Sequence, residues 1–254
     1  MRKFFTIVSL MALTLSACAE KEPQGEQEGK GQVAISCVVS TDVDTTRANV
    51  SCTTPQAEDF ALTIKGGEYE ANYTSLVDFN DGDNYLRYGE YEATVVAGDI
   101  NKEGYDNAVF VGTTPFTISA RKHTDVKVTA TIANALVKVE TTDNFKNYFE
   151  GGYALTLKTT AGNEFDVTAQ SELLFIAPQS FTVTGTATKQ SAQSGKKGVT
   201  VTLPEYKNED VKAQTLYTVK FDVEQAGSAQ LTITLNETLV ESIDIEQELN
   251  DNAQ

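Results

Sequence analysis

The sequence predicts an all-β protein built as two tandem β-sandwiches. Three observations carry that prediction. Apolar residues recur at every second position through runs rich in Thr and Val, the pattern of strands with one buried face. Glycine-bearing turn sequences separate the runs. Helical periodicity surfaces in one short stretch, so no long helices are available to cover a parallel sheet.

Ahead of the strands stands a targeting segment, expected over residues 1–17. Arg2 and Lys3 form a positive n-region, and Phe4 to Leu15 is an apolar run too short to span a bilayer. Leu15-Ser16-Ala17-Cys18 follows, small residues leading into a cysteine, as in a bacterial lipobox. Cys18 is then the lipidated first residue of the mature chain, held to the membrane by its acyl chains. Residues 18–32 are expected to be a flexible tether. "AEKEPQGEQEGKGQ" has no large apolar residue and so no surface to bury against its ordering entropy.

The first sandwich is expected over residues 33–132. Val33, Ile35, Cys37 and Val39 alternate, followed by "FALTI" (Phe60, Leu62, Ile64), "YEATVVA" (Tyr91, Ala93, Val95), "FTISA" (Phe116, Ile118) and "VKVTATI" (Val126, Val128, Ala130, Ile132). Gly66-Gly67 and Asp81-Gly82 supply turns. The second sandwich is expected over 133–249, with strands in "YALTL", "FTVTGTA", "VTVTL", "YTVKFDV" and "LTITL". Gly151-Gly152, Ala161-Gly162-Asn163 and Gly227 mark its turns. "TDNFKNYF" alone has helical spacing, with Phe145, Tyr148 and Phe149 at i, i+3, i+4 and Thr142 or Asp143 as N-cap. Only Ala133-Asn134-Ala135 separates the halves, without a Pro/Gly linker, which predicts a stiff joint.

Composition limits the partners. The net charge is −16, and removing residues 1–17 takes away two cations and no acid, leaving −18. Such a surface repels phosphates and argues against nucleic acid. Tryptophan is absent, so any sugar-stacking surface must use tyrosine. Cys37 and Cys52 remain beside the lipidated cysteine. Outside the cytoplasm they are either a bridge or two buried thiols.

Few residues suggest chemistry. The single histidine, His123, lies between Arg121-Lys122 and a strand with no nucleophile motif beside it. Glu68/Glu70 and Asp42/Asp44 are paired carboxylates in a chain rich in carboxylates, so their spacing says little. "DFNDGDN" offers Asp78, Asn80, Asp81 and Asp83 as hard oxygen ligands of the kind calcium takes, though with neither EF-hand spacing nor a closing glutamate; a solvated Asp-Gly turn accounts for it equally. Neither cofactor nor resident metal is expected, and no enzyme activity. Tyr69, Tyr73, Tyr85, Tyr88 and Tyr105 fall near Asp and Asn outside clean core alternation. They read either as loop cover over a sandwich end or as a ligand surface.

Four stretches carry a resemblance: "STDVDTTRA", "GEYEATVVAGDINKEGYDNAVFVG", "TIANALVKVETTDNFKNYF" and "QTLYTVKFDV". Through them the chain resembles a family of Bacteroidetes lipoproteins with a domain of unknown function, and more distantly the fimbrillin-like surface proteins. Glu20-Lys21-Glu22 is similar to the charged export signal of surface lipoproteins in that phylum. The resemblance implies tandem transthyretin-like or immunoglobulin-like sandwiches, lipid-anchored at the outer membrane, with surface display expected and retention on the periplasmic face as the alternative. It implies a structural or adhesive role, with other surface proteins as partners; the alternative is glycan capture. It also offers Arg47 as a protease site, since fimbrillin-like pilins lose a first strand by cleavage after an arginine in this neighbourhood; the alternative is that Arg47 is a charge in a surface turn and Val33 to Val39 stays paired within its own domain. With cleavage, "ESIDIEQEL", with Ile243, Ile245 and Leu249 on one face, would be the donor strand.

Overall fold

The structure is a computed structural model describing residues 29–41, 50, 52–169, 172–189, 198–223, 230–236 and 244–248, the last two stretches as backbone. Cys18, the tether up to residue 28 and Arg47 lie outside the described residues. The described chain is all-β with two short helices.

The first half contributes β1 (Lys30–Ser40), a 3-10 turn (Ala57–Asp59), β2 (Ala61–Gly66), β3 (Tyr69–Tyr73), α1 (Leu76–Asp81), β4 (Tyr85–Arg87), β5 (Gly89–Ala97), β6 (Gly104–Tyr105), β7 (Phe110–Ile118) and β8 (His123–Ile132). Seven of these strands form one sheet in the order β3-β2-β5-β7-β8-β1-β4. The ladder between β7 and β8 runs through only Phe110↔Ile132 and Val111↔Thr131. Beyond it β7 stays with β5 while β8 runs parallel to β1, from Gln32↔His123 to Ser40↔Thr131. The sheet therefore curls into two leaves around a core of Val33, Ile35, Leu62, Ile64, Ala93, Val95, Val126 and Val128. Gly112 permits the crossing, since a Cβ there would lie 2.4 Å from the carbonyl oxygen of Thr129. The alternating residues named from sequence face this core, with Cys37, Val39 and Phe116 packed at its margin.

Two features differ from the sequence reading. β1 begins three residues before the alternation does: Lys30, Gly31 and Gln32 pair with Arg87, Leu86 and Tyr85 of β4, so the last residues assigned to the tether are strand. "LVDFND" is a helix, where the sequence suggested a turn or calcium loop. The Ser75 hydroxyl accepts from the Asp78 N–H as N-cap, and Leu76 and Phe79 are buried on the core side.

The second half contributes β9 (Ala135–Thr141), α2 (Asp143–Tyr148), β10 (Tyr153–Thr159), β11 (Glu164–Asp166), β12 (Leu174–Ile176), β13 (Phe181–Thr188), β14 (Thr200–Thr202), β15 (Tyr206–Asn208), β16 (Leu216–Phe221), β17 (Gln230–Asn236) and β18 (Asp244–Glu248). One sheet runs β11-β10-β13-β14 with β15 also on β13, the other β18-β17-β16-β9-β12-β6. A second core fills the space between, around Val137, Val139, Phe145, Leu155, Leu157, Phe181, Val219 and Phe221. α2 is capped by Thr142, whose hydroxyl accepts from the Phe145 N–H. The segment considered as a donor strand lies, at β18, antiparallel to β17 of its own chain.

The sheets change between Ile132 and Ala135, and the two sides interlock there. β6, from the first half, is the end strand of a second-half sheet. Leu136 and Phe175, opposite one another on β9 and β12, are buried against the first core, while their neighbours Ala135, Val137, Leu174 and Ile176 face the second. "ALV" and "LFI" are continuous apolar runs because both faces of these strands are covered. Asn134 is fully buried between them. Its Oδ1 accepts from the Val109 N–H at 2.6 Å, and its carbonyl accepts from the Gln214 N–H at 2.7 Å.

Candidate functional site

β3 is the end strand of the first sheet, and its inward side presents Tyr69 and Tyr73. Their hydroxyls lie 3.2 Å apart. The Tyr69 ring meets Tyr91 edge-on at 5.9 Å, Tyr91 stacks on Phe116 at 5.7 Å, and Tyr73 meets the Phe79 ring edge-on at 4.9 Å. Gly66 makes room for this row, because a Cβ there would run into the Tyr91 ring. Burial, the bond to Tyr73 and the nearby Asp83 carboxylate hold the Tyr69 hydroxyl well above the usual phenol range. Tyr91 is raised by burial, partly offset by Arg87. The row therefore offers neutral hydroxyls and ring edges.

Most of the row is core. Tyr91 and Phe79 are buried, while Tyr69 is 37% exposed. Among the described residues, Tyr88 is the most open ring at 70% exposure. It flanks Gly29, whose carbonyl accepts from the Tyr88 N–H at 2.8 Å, so it marks where the chain enters β1. Tyr85 sits half-buried on β4 opposite Gln32. Tyr105 is not part of this surface. It lies on β6, edge-on to Phe165 of β11 at 6.4 Å, and its hydroxyl donates to the Asp166 carbonyl at 3.3 Å.

The calcium candidates do not converge. Asp78 accepts from the Thr74 hydroxyl at 2.6 Å and is held below the usual carboxylate range by Thr74 and Ser75. Asn80 turns the other way. Its Oδ1 accepts from the Ile35 N–H at 3.0 Å and its Nδ2 donates to the Ile35 carbonyl at 2.8 Å, so its amide substitutes for a strand neighbour along β1. The Asp83 carboxylate accepts from the Tyr85 N–H. No group of three or more His, Cys, Asp and Glu side chains suited to a metal occurs among the described residues. His123 opens β8, exposed, with its Nε2 2.9 Å from Asp125. Glu70 pairs with Lys65 at 3.1 Å. Cys37 and Cys52 are free thiols, both partly buried against the first core and both raised above the usual thiol range by burial.

Sequence reading missed two features. A shallow depression of about 190 Å³ lies over β10 and β13, lined by Lys158, Thr159, Thr160, Ser180, Phe181 and Thr182, with Lys158 tied to Glu164 at 2.9 Å. Beside it the Glu103 carboxylate, carried from the first half, accepts from the Thr159 hydroxyl at 2.5 Å, Asn163 Nδ2 at 2.7 Å and the Ala177 N–H at 2.9 Å. A lone glutamate in an acidic loop gives no sequence signal of three partners some sixty residues away.

The fold and these features define an all-β chain of two joined cores with a tyrosine row at one sheet end. The chain belongs to the family of the domain of unknown function DUF4493, whose family model matches residues 29–251. No curated protein matches it. Among solved structures it is similar to a Bacteroides eggerthii protein whose proposed role is cell adhesion, at 11% identity and TM-score 0.44, covering 78% of this chain and 88% of that one. It is similar to a Bacteroides ovatus protein proposed to be an adhesin, at 9% identity and TM-score 0.42, covering 85% and 95%. A Bacteroides thetaiotaomicron DUF1812 protein proposed to bind polysaccharide aligns at 9% identity and TM-score 0.38, covering 88% and 100%.

Proposed function

We propose that the chain is a non-enzymatic lipoprotein of the outer membrane, displayed on the cell surface in a structural or adhesive role. The observation that carries this reading is the order of signals at its start. A positive n-region, an apolar h-region, Leu15-Ser16-Ala17-Cys18 and an acidic tether lead straight into β1 at Lys30. Lipid at Cys18 supplies the membrane affinity, the tether supplies reach, and the sheets supply contact surface. The test is a Cys18→Ala variant of the full chain in its own host, followed by fractionation, protease treatment of intact cells and attachment to surfaces. The variant is expected to leave the membrane fraction and to lose attachment. A variant that still partitions with membranes removes the lipid anchor from this reading, and unchanged attachment by the released form removes the adhesive role.

Glycan capture is the second reading, favoured by the exposed rings of Tyr69 and Tyr88 on one half. Each offers an exposed aromatic ring with a polar hydroxyl tip, an amphipathic surface of the kind a sugar packs on. A glycan array on the wild type and on Tyr69→Ala and Tyr88→Ala variants decides it. A signal lost in either variant supports capture, and the absence of any signal in the wild type ends it.

A further inference from the structure

The excursion between β5 and β7 is a built element. Gly98 closes its base, with φ +92° and no room for a Cβ against the Ala108 carbonyl. Asp99 turns it, accepting through Oδ1 from the Asn101 N–H at 3.0 Å and through its carbonyl from the Lys102 N–H at 2.9 Å. Gly104, at φ +152°, holds a backbone conformation that residues with a side chain rarely adopt. The tip then pairs outside its own sheet, Tyr105 with Leu174 and Gly104 with Phe175.

We infer that the second half contains a peptide-binding site, formed by the edge of β12 and a carboxylate pocket, which the chain fills with its own segment Lys102–Asp106. The pocket consists of the Thr159 hydroxyl, Asn163 Nδ2 and the Ala177 N–H, all aimed at Glu103. A carboxylate is an acceptor only, so one group satisfies three converging donors, and charge-assisted bonds of this kind are the stronger class. Three neutral donors converging on one point make this a pocket for an acceptor group, filled here by a carboxylate carried on a paired segment. Two residues on, the Tyr105 ring packs against Phe165 and its hydroxyl donates to the Asp166 carbonyl. The ligand chemistry is thus acid, glycine, aromatic, added as a strand: main-chain pairing supplies affinity and the two side chains supply specificity. Occupied within the chain, the site straps the second half to the first.

Hydrogen exchange on the full chain tests this. Glu103→Ala is expected to speed exchange at residues 174–177 by about tenfold or more, as the loss of bonds to a charged group implies, while β2 and β5 exchange as in the wild type. A chain carrying both Glu103→Ala and Tyr105→Ala is then offered a synthetic peptide of residues 99–109. The wild-type peptide is expected to restore protection at 174–177, and the same peptide with alanine in place of Glu103 is expected not to. Wild-type protection in Glu103→Ala overturns the inference. So does equal rescue by the two peptides, or no rescue by either. Loss of protection throughout Glu103→Ala, β2 and β5 included, overturns the strap as a separable element.

Discussion

Both halves open on the same device and finish it differently. β1 opens the first half and lies parallel to β8; β9 opens the second and lies parallel to β16. In each case the strand's other side needs a neighbour, because its N–H and C=O groups must be paired. The first half covers β1 with three residues of β4, the Asn84 carbonyl and the Asn80 amide, all within one short helix-and-strand segment. The second half covers β9 with β12, which in turn takes β6 from the first half. The first half thus completes its sheet locally, whereas the second completes its sheet by borrowing. Stability should divide accordingly: damage at α1 stays in the first half, while damage near the joint reaches both.

The largest expected effect is on the helix plugs. Phe145 of α2 is fully buried against Phe149, Tyr153 and Phe221, so Phe145→Ala should cost about 3–5 kcal/mol. Phe79→Ala is the matching change in the first half, with Phe79 1% exposed against Tyr73. Urea unfolding followed by circular dichroism gives the size, and hydrogen exchange gives the half that loosens. If Phe79→Ala loosens β10 and β13 as much as β2 and β5, the first half is not locally completed.

Next comes the amide along β1. Asn80→Ala removes both bonds to Ile35 and leaves a backbone N–H and C=O unpaired at a half-buried edge, worth about 2 kcal/mol. Its exchange signature should stay at residues 33–37. Smaller again are the caps. Thr142→Ala should cost about 1–2 kcal/mol and Ser75→Ala about 1 kcal/mol. The excess at Thr142 comes from its second task, since its hydroxyl also donates to Asp222 at 2.5 Å. Equal midpoints for the two cap variants would remove that difference between the helices.

What the sequence made legible follows the same division. Long alternating runs such as "YEATVVA" and "VKVTATI" became β5 and β8 because one buried face writes itself every second residue. α2 was legible through Phe145, Tyr148 and Phe149. α1 was not, because Leu76 and Phe79 are its only buried residues and Asp and Asn around them also suit a turn. β4, β6, β11 and β15 have two or three residues each, too few to show a period. Of the tyrosines grouped from sequence, Tyr69 and Tyr73 do meet, but Tyr105 belongs to the joint. Spacing along a chain cannot reveal a segment that pairs across sheets. The same limit hid Glu103 and the reversal of Asn80 onto β1.

The smallest effect sharpens the comparison most, because it reports on one half alone. Cys37 and Cys52 both pack at the margin of the first core, and the second core holds no cysteine. Burial raises both thiols, so the folded protein holds the neutral form more tightly than the unfolded chain does. Their contribution to stability is complete below the ordinary thiol value of about 8.5 and declines as pH rises through it toward the folded values. Tyr69, also raised, adds a decline starting above about pH 10. In a Cys18→Ala chain at pH 8, alkylation of both thiols should be slower than in a cysteine peptide, since only the thiolate reacts. Urea should release the thiols when the first half opens, while circular dichroism follows all the strands. Coincident transitions mean the borrowed strand joins the halves into one unfolding unit, and adding Glu103→Ala should then pull them apart. Rapid alkylation of both thiols in the native protein would contradict their burial and remove the probe.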